Sequence, residues 1–344
     1  MTQVATRRER PERYADRLSG GAITIYALSR HSVREDIRMF GLTITHCGRR
    51  FEHVQKHLDS LPANPETTVT TIASTHCYPP ADPARRPSHW WYWGRSVYVS
   101  RRDYWRIFLG FLSAGIPLGL VGVLAHSRTL LDAAFIVAAI GLALFTYSLF
   151  GLYRMYGHPS MRYFRQLLDL GRVRDGATIA DLHIGTYRTA FALADLLPAS
   201  TIHTIDCWNP EEEPDEAAVA DVRDLEPPPT ANPRVRPRAA TPHGVSLPDA
   251  SCDVVVLGFG THEIPEGPSR ELLFDETTRV LRPGGTVLMF EHGKDLHNFL
   301  IFGPVIDHVT SRAAWLDAFG RHFTDVRSRR SSAAVDLIAA TRRA

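Results

Sequence analysis

The chain has 344 residues, 44% hydrophobic and 22% charged, with a net charge of +2. At roughly 150 residues per domain it holds about two structural units, and this apolar content excludes a mainly disordered protein. The small net charge hides an asymmetry. Residues 1–106 carry 17 Lys/Arg against 10 Asp/Glu, while 153–344 carry 21 against 26, so the C-terminal half lacks the cationic face that nucleic-acid binding needs, and no nucleic-acid partner is expected.

In chain order, residues 1–20 read as a flexible basic leader. Apolar clusters at 22–28, 42–44 and 68–72 around a helix-like stretch at 50–61 suggest a small α+β unit over 21–78. Its Thr-His-Cys triplets at 45–47 and 75–77 offer His46, Cys47, His76 and Cys77 as zinc ligands in principle. Their spacing is not that of a familiar finger, and strand-end histidines with buried thiols are the simpler reading. Cys207 and Cys252 complete a set of four cysteines too scattered for a disulfide scaffold. A cleaved secretory peptide is not expected, because the first long apolar run begins after residue 100. Residues 79–106 read as a Pro-rich linker followed by an aromatic approach containing Trp90, Trp91, Tyr92, Trp93, Tyr98, Tyr104 and Trp105.

Residues 107–125 and 133–152 contain no formal charge, and each is long enough to cross a bilayer core that needs about 20 helical residues. A short polar link joins them, so 107–152 reads as a transmembrane helical hairpin. Arg101, Arg102 and Arg106 precede it and Arg154, Arg162 and Arg165 follow, against Arg128 alone in the turn. The positive-inside rule then gives a two-pass protein of the cytoplasmic membrane with both termini cytoplasmic. Gly110, Gly115, Gly119, Gly122 and Gly141 permit close helix approach, for which homo-oligomerisation is one use.

A lead-in helix at 158–170 opens the C-terminal part, 153–344. Strand candidates follow at 178–182, 201–205, 235–239, 253–257, 286–290 and 334–339, with helix candidates at 189–197, 269–280 and 311–319. This alternation predicts an open α/β sheet. The first strand runs through Asp181 into a loop with His183, Gly185 and Tyr187, and the second ends at Asp206. A loop at the carboxyl edge of such a sheet can hold a polar cofactor, and an acid at the end of the next strand can accept from ribose hydroxyls. The Pro283-Gly284-Gly285 triplet reads as a sharp turn into a strand.

These residues resemble class I S-adenosylmethionine-dependent methyltransferases. Asp181 matches the acid of the family's first motif and Gly185 its middle glycine, while His183 and Tyr187 stand where the outer glycines are expected. The segments 247–256 and 278–286 resemble the family's fourth strand and its Arg-Val-Leu-x-Pro-Gly-Gly turn. The resemblance covers about 158–344. It implies a seven-stranded Rossmann-like mixed sheet with helices on both faces and S-adenosylmethionine as cofactor. It further implies that Asp181 supports the cofactor loop and amino-acid moiety, Gly185 permits close approach and Asp206 binds the ribose. Leu247 and Asp249 would line the adenine side, although the acid expected a few residues earlier falls near His243.

His262 and Glu263 follow the fourth strand and Glu291 and His292 end the fifth, giving two acid/base pairs for catalysis or acceptor positioning. The acidic stretch from Glu211 reads as a solvated helix start or loop, and no metal is required. The apolar segment 296–309 covers a pocket, meets the bilayer or joins the core. Together with the hairpin it points to a small hydrophobic or lipid-like acceptor. The altered glycine loop leaves one alternative, a catalytically degenerate methyltransferase-fold membrane protein with a binding, assembly or regulatory role.

Overall fold

In the computed structural model, residues 23–28, 70–75, 78–208, 217–230, 232–239 and 244–343 are described. The chain divides into two compact units, Met1–Pro80 and Ala81–Ala344. In the first, β1 (Ile23–Leu28) and β2 (Thr70–Thr75) pair antiparallel, Ile23 opposite Thr75. The leader, the helix-like stretch at 50–61, the cluster at 42–44 and the four His/Cys candidates fall outside the described residues, as do His243 and the acidic stretch from Glu211.

The second unit begins differently from the expected linker. Residues His89–Val99 form α1, capped by Ser88, whose Oγ accepts from the Trp91 N–H at 3.1 Å. Tyr92, Arg95 and Ser96 of this helix are buried, so only part of the aromatic approach is free to sit at an interface. Two long helices follow, α2 (Arg101–Leu124) and α3 (Arg128–Tyr156). At 1.5 Å per residue they measure about 36 and about 44 Å, and both are long and apolar enough to cross a membrane. Little of either helix is buried, and Ile116, Leu120, Phe135 and Leu142 are all exposed.

Gly115, Gly119 and Gly122 of α2 face its partner helix α3. A side chain at Gly119 would meet Ala134, one at Gly115 would meet Val137, and one at Gly122 would press on the backbone and side chain of Leu131. Small residues here let α2 and α3 approach closely.

After α4 (Ser160–Gly171) the α/β domain alternates as β3 (Thr178–His183), α5 (Arg188–Leu196), β4 (Thr201–Asp206), α6 (Ala217–Leu225), β5 (Val235–Ala239), β6 (Cys252–Leu257), α7 (Pro268–Val280), β7 (Leu281–His292), α8 (Leu296–Phe302), α9 (Arg312–His322), β8 (Phe323–Arg330) and β9 (Val335–Arg342). The seven-stranded sheet has the order β5-β4-β3-β6-β7-β9-β8. β3 to β7 are parallel, and β9 runs antiparallel to both β7 and β8. This is the mixed Rossmann-like sheet expected.

Strand alternation sorts the core. Ile179 of β3 joins Tyr163, Phe164, Leu167, Ala190 and Leu193 on the face of α4 and α5. Ala180 and Leu182 join Phe274, Val280, Trp315 and Phe319 on the face of α7 and α9. The Pro-Gly-Gly step falls inside β7: its register against β6 shifts between Leu281 and Thr286, where Gly284 takes φ +73°.

Candidate functional site

The strand order reverses between β3 and β6, and in open α/β sheets that switch point at the carboxyl edge is where ligands bind. His183 ends β3 and lies opposite Asp206, which ends β4. Asp181 is fully buried beneath the loop, accepting from the Thr204 hydroxyl at 3.3 Å and from the Ala190 N–H at the start of α5. Burial pushes its carboxyl up to about 8. It therefore braces the loop from below.

The loop itself is crowded. Nδ1 of His183 accepts the N–H groups of Gly185 at 2.8 Å and Thr186 at 3.1 Å, and the Tyr187 ring packs edge-on against the imidazole, 4.8 Å between centroids. Accepting at Nδ1 fixes the tautomer with the proton on Nε2, which is buried without a partner. Burial lowers this imidazole to about 4, so it is neutral. Gly185 has φ +106°, a conformation that favours glycine, and a side chain there would run into Arg223. Arg223 of α6 donates to both oxygens of Asp206, at 2.7 and 2.6 Å, with its guanidinium beside the Trp208 ring.

A second polar group ties α1 to the loop. Glu226 pairs with Arg95, accepts from the Tyr92 hydroxyl at 2.8 Å and accepts from the Thr186 hydroxyl at 2.8 Å. Arg95 also donates to the Thr186 hydroxyl at 3.2 Å. Sequence reasoning missed both residues. Their one signal was that Arg95 is the single formal charge in the aromatic run 89–99.

The two acid/base pairs converge. Glu291, with no exposure at all, accepts from Nδ1 of His262 at 2.8 Å and from the His262 backbone N–H at 3.2 Å. Nε2 of His262 lies 3.2 Å from Glu263, which faces Nε2 of His308 at 3.4 Å. Burial disfavours charge on His262, but the Glu291 and Glu263 carboxylates outweigh it and raise the imidazole to about 10. Burial alone would raise Glu263, yet hydrogen bonds from His262 and His308 hold its carboxyl well below the usual range. His292 stands apart: stacked on Phe259 at 4.1 Å, it is held neutral by burial and by the neighbouring His262. His308, brought in by the turn after α8, had no local sequence signal.

Arg188, at the start of α5, donates to the Met155 carbonyl at 3.0 Å and the Tyr163 hydroxyl at 2.6 Å, inside a ring of Tyr156, Phe164 and Phe259. It joins the end of α3 to the site. Ile301 of α8 meets Gly151 of α3, and the Ile301 carbonyl accepts from the Ser148 hydroxyl. Leu296, Phe299 and Val305 on the same segment are exposed.

Leu247 and Asp249 are not brought to this edge. The segment leads into the amino end of β6, where Arg279 of α7 holds the Leu247 carbonyl at 2.9 Å and the Asp249 carboxylate at 2.6 Å. Asp249 is 79% exposed there. The turn 248–251 leads into β6 at the edge of the sheet opposite to that of Asp206. A polar cleft of about 470 Å³ opens beyond β7, lined by Lys294, Asp295, His297, Arg312, Arg330 and Asp336 among others. Arg330 pairs with both Asp295 and Asp336.

A profile for the family described as "Methyltransferase domain" matches residues 182–289. No curated protein sequence matches significantly. Among solved structures, a SAM-dependent methyltransferase from Aquifex aeolicus is 16% identical over 52% of this chain and 88% of its own, with a TM-score of 0.40. Geranyl diphosphate C-methyltransferase from Streptomyces coelicolor is 12% identical over 56% and 82%, with a TM-score of 0.39. The sheet order and the profile together give a class I methyltransferase-like fold.

Asp206, an acid at a strand end, and Gly185, with no side chain in the loop, are residue types that suit an S-adenosyl cofactor at the carboxyl edge of such a sheet. The fit requires Arg223 to leave Asp206, and the loop amides of Gly185 and Thr186 are already taken by His183.

Proposed function

We propose that the protein is a membrane-tethered, S-adenosylmethionine-dependent methyltransferase acting on a small hydrophobic or lipid-like acceptor. The observation that carries this reading is the convergence of His262, Glu263 and Glu291 at the carboxyl edge of β6 and β7, beside the switch point and next to the segment that packs on the hairpin. The bound cofactor supplies an electrophilic methyl group. Asp206 would accept from its ribose, Gly185 would admit it close to the backbone, and Asp181 would brace the loop. Glu291 holds His262 in one orientation, and His262, kept protonated between Glu291 and Glu263, would position the acceptor together with Glu263. His292, neutral and stacked on Phe259, would form an apolar wall.

The hairpin, inserted with both chain ends cytoplasmic, would keep the site beside a substrate dissolved in the bilayer and raise its local concentration. The exposed Leu296, Phe299 and Val305 support an apolar approach from that side. In native membranes carrying the protein, methyl label from S-adenosylmethionine is expected in the lipid extract and lost with Asp206→Ala and Glu291→Gln. Label in the extract that persists in both variants contradicts the assignment.

A second reading, a non-catalytic binding or assembly protein on the same fold, is favoured by one observation: Arg223 and His183 already satisfy the polar groups a cofactor would use. Cofactor binding divides the two readings.

A further inference from the structure

Three side chains from two separate segments point their ligand atoms at one another: Nε2 of His262, a carboxylate oxygen of Glu263 and Nε2 of His308, all within 4.8 Å. Two of the separations, 3.2 and 3.4 Å, are close to the edge of a tetrahedron around a zinc ion, which is about 3.3 Å for bonds of about 2.0–2.1 Å. Such a triplet could be an ordinary hydrogen-bonded cluster. A second observation separates the cases: both imidazoles are anchored through the other nitrogen. Nδ1 of His262 donates to Glu291 at 2.8 Å, and Nδ1 of His308 donates to the Val305 carbonyl. Both Nε2 atoms then face the shared Glu263 carboxylate, where a metal ion would displace the protons they donate to it, and a carboxylate or carbonyl behind each ligating histidine is the usual outer shell of a metal site.

We propose that His262, Glu263 and His308 form a binding site for a divalent transition metal ion, with zinc the best match to two imidazoles and one carboxylate. Three protein ligands leave a coordination position free, the arrangement of catalytic rather than structural zinc. The open side is that of His308, 39% exposed, whereas the side chain of His262 is 6% exposed. His308 rides on the turn directly after α8, the helix that packs on α3. The ion would therefore sit between the switch point and the membrane-proximal segment. There it would bind an acceptor through oxygen, a phenol, enol or alcohol, as a Lewis acid that favours loss of the hydroxyl proton to solvent. The oxygen-acceptor class rests on the methyltransferase reading; ion binding does not.

The test uses the full chain in detergent or nanodiscs, purified without a polyhistidine tag, stripped with chelator and titrated with Co²⁺ as a spectroscopic stand-in for zinc. Expected is one saturable visible d–d absorption of low coordination number, displaced by Zn²⁺, weakened at least tenfold by His308→Ala and by Glu263→Gln, and kept by His297→Ala. His308 lies at the surface of its turn, so its variant should keep its fold, checked by an unchanged melting temperature of the metal-free protein. The absence of a d–d band, or an equal band in His308→Ala, overturns the site. The same samples are assayed for S-adenosylmethionine binding. Cobalt binding without cofactor binding upholds the ion site while defeating the methyltransferase reading; cofactor binding without cobalt binding does the reverse.

Discussion

Arg95 and Glu226 form an ion pair with almost no access to water, the arginine on α1 and the glutamate just after α6. Both also bond Thr186 in the loop after β3. Removing one partner leaves the other as an uncompensated buried charge, which costs about 3–5 kcal/mol. Arg95→Ala is expected to lower the melting temperature markedly and to loosen the loop. Arg95→Ala with Glu226→Gln should recover much of the loss, as a double-mutant thermal melt would report. Equal destabilisation by the single and double variants would show that the pair is not coupled.

Asp181 makes stability depend on pH in an unusual direction. Burial pushes its carboxyl up to about 8, against about 3.9 in an unfolded chain. The folded state therefore holds a proton that the unfolded state loses, and this contribution, complete below about pH 4, disappears as pH rises through about 8. Asp181→Asn should flatten the decline in melting temperature between about pH 5 and 8. An unchanged slope would mean that the carboxylate is ionised in place.

His183 acts oppositely. Burial lowers it to about 4, so an unfolded chain protonates it first, near about 6.5, and its contribution is present above that value and lost as pH falls towards 4. His183→Gly removes this acid sensitivity and releases the amides of Gly185 and Thr186. S-adenosylmethionine affinity is expected to rise about tenfold, or about 1.4 kcal/mol, in an equilibrium binding measurement. Weaker binding by the variant would show the imidazole to be a cofactor contact.

Within the hairpin, Gly122 and Gly110 should separate cleanly. A side chain at Gly122 would press on Leu130 and Leu131 across the turn, whereas one at Gly110 would meet nothing. Gly122→Leu is expected to destabilise by about 1–3 kcal/mol through overpacking, and Gly110→Ala to leave thermal unfolding in detergent nearly unchanged. Equal effects would argue against this α2–α3 interface.

Most of the sheet was legible because alternating strands and helices carry period-2 and period-3.6 apolar patterns, as for α7 at Pro268–Val280 against 269–280, but β8 (Phe323–Arg330) and α6 (Ala217–Leu225) were not foreseen and β7 begins at Leu281 rather than 286. The chemical role of His262, Glu263, Glu291 and His292 is part of the proposed function; their place at neighbouring strand ends was legible too, since β6 and β7 run side by side. His308, Arg95 and Arg223 were not, because their roles arise from tertiary contacts between distant segments. The position of Asp249 was not legible, because motif order does not state which end of a strand a turn serves, and α1 was hidden by an aromatic run that packs equally well on lipid or on protein.

Arg223 and Asp206 hold the central claim. Equilibrium binding of S-adenosylmethionine to the full-length protein, its Arg223→Ala variant and its Asp206→Ala variant tests it most directly. Saturable binding by the native chain, tightened when the guanidinium is removed and abolished when the carboxylate is removed, is the predicted result. No binding at millimolar cofactor by either the native chain or Arg223→Ala would contradict the methyltransferase reading.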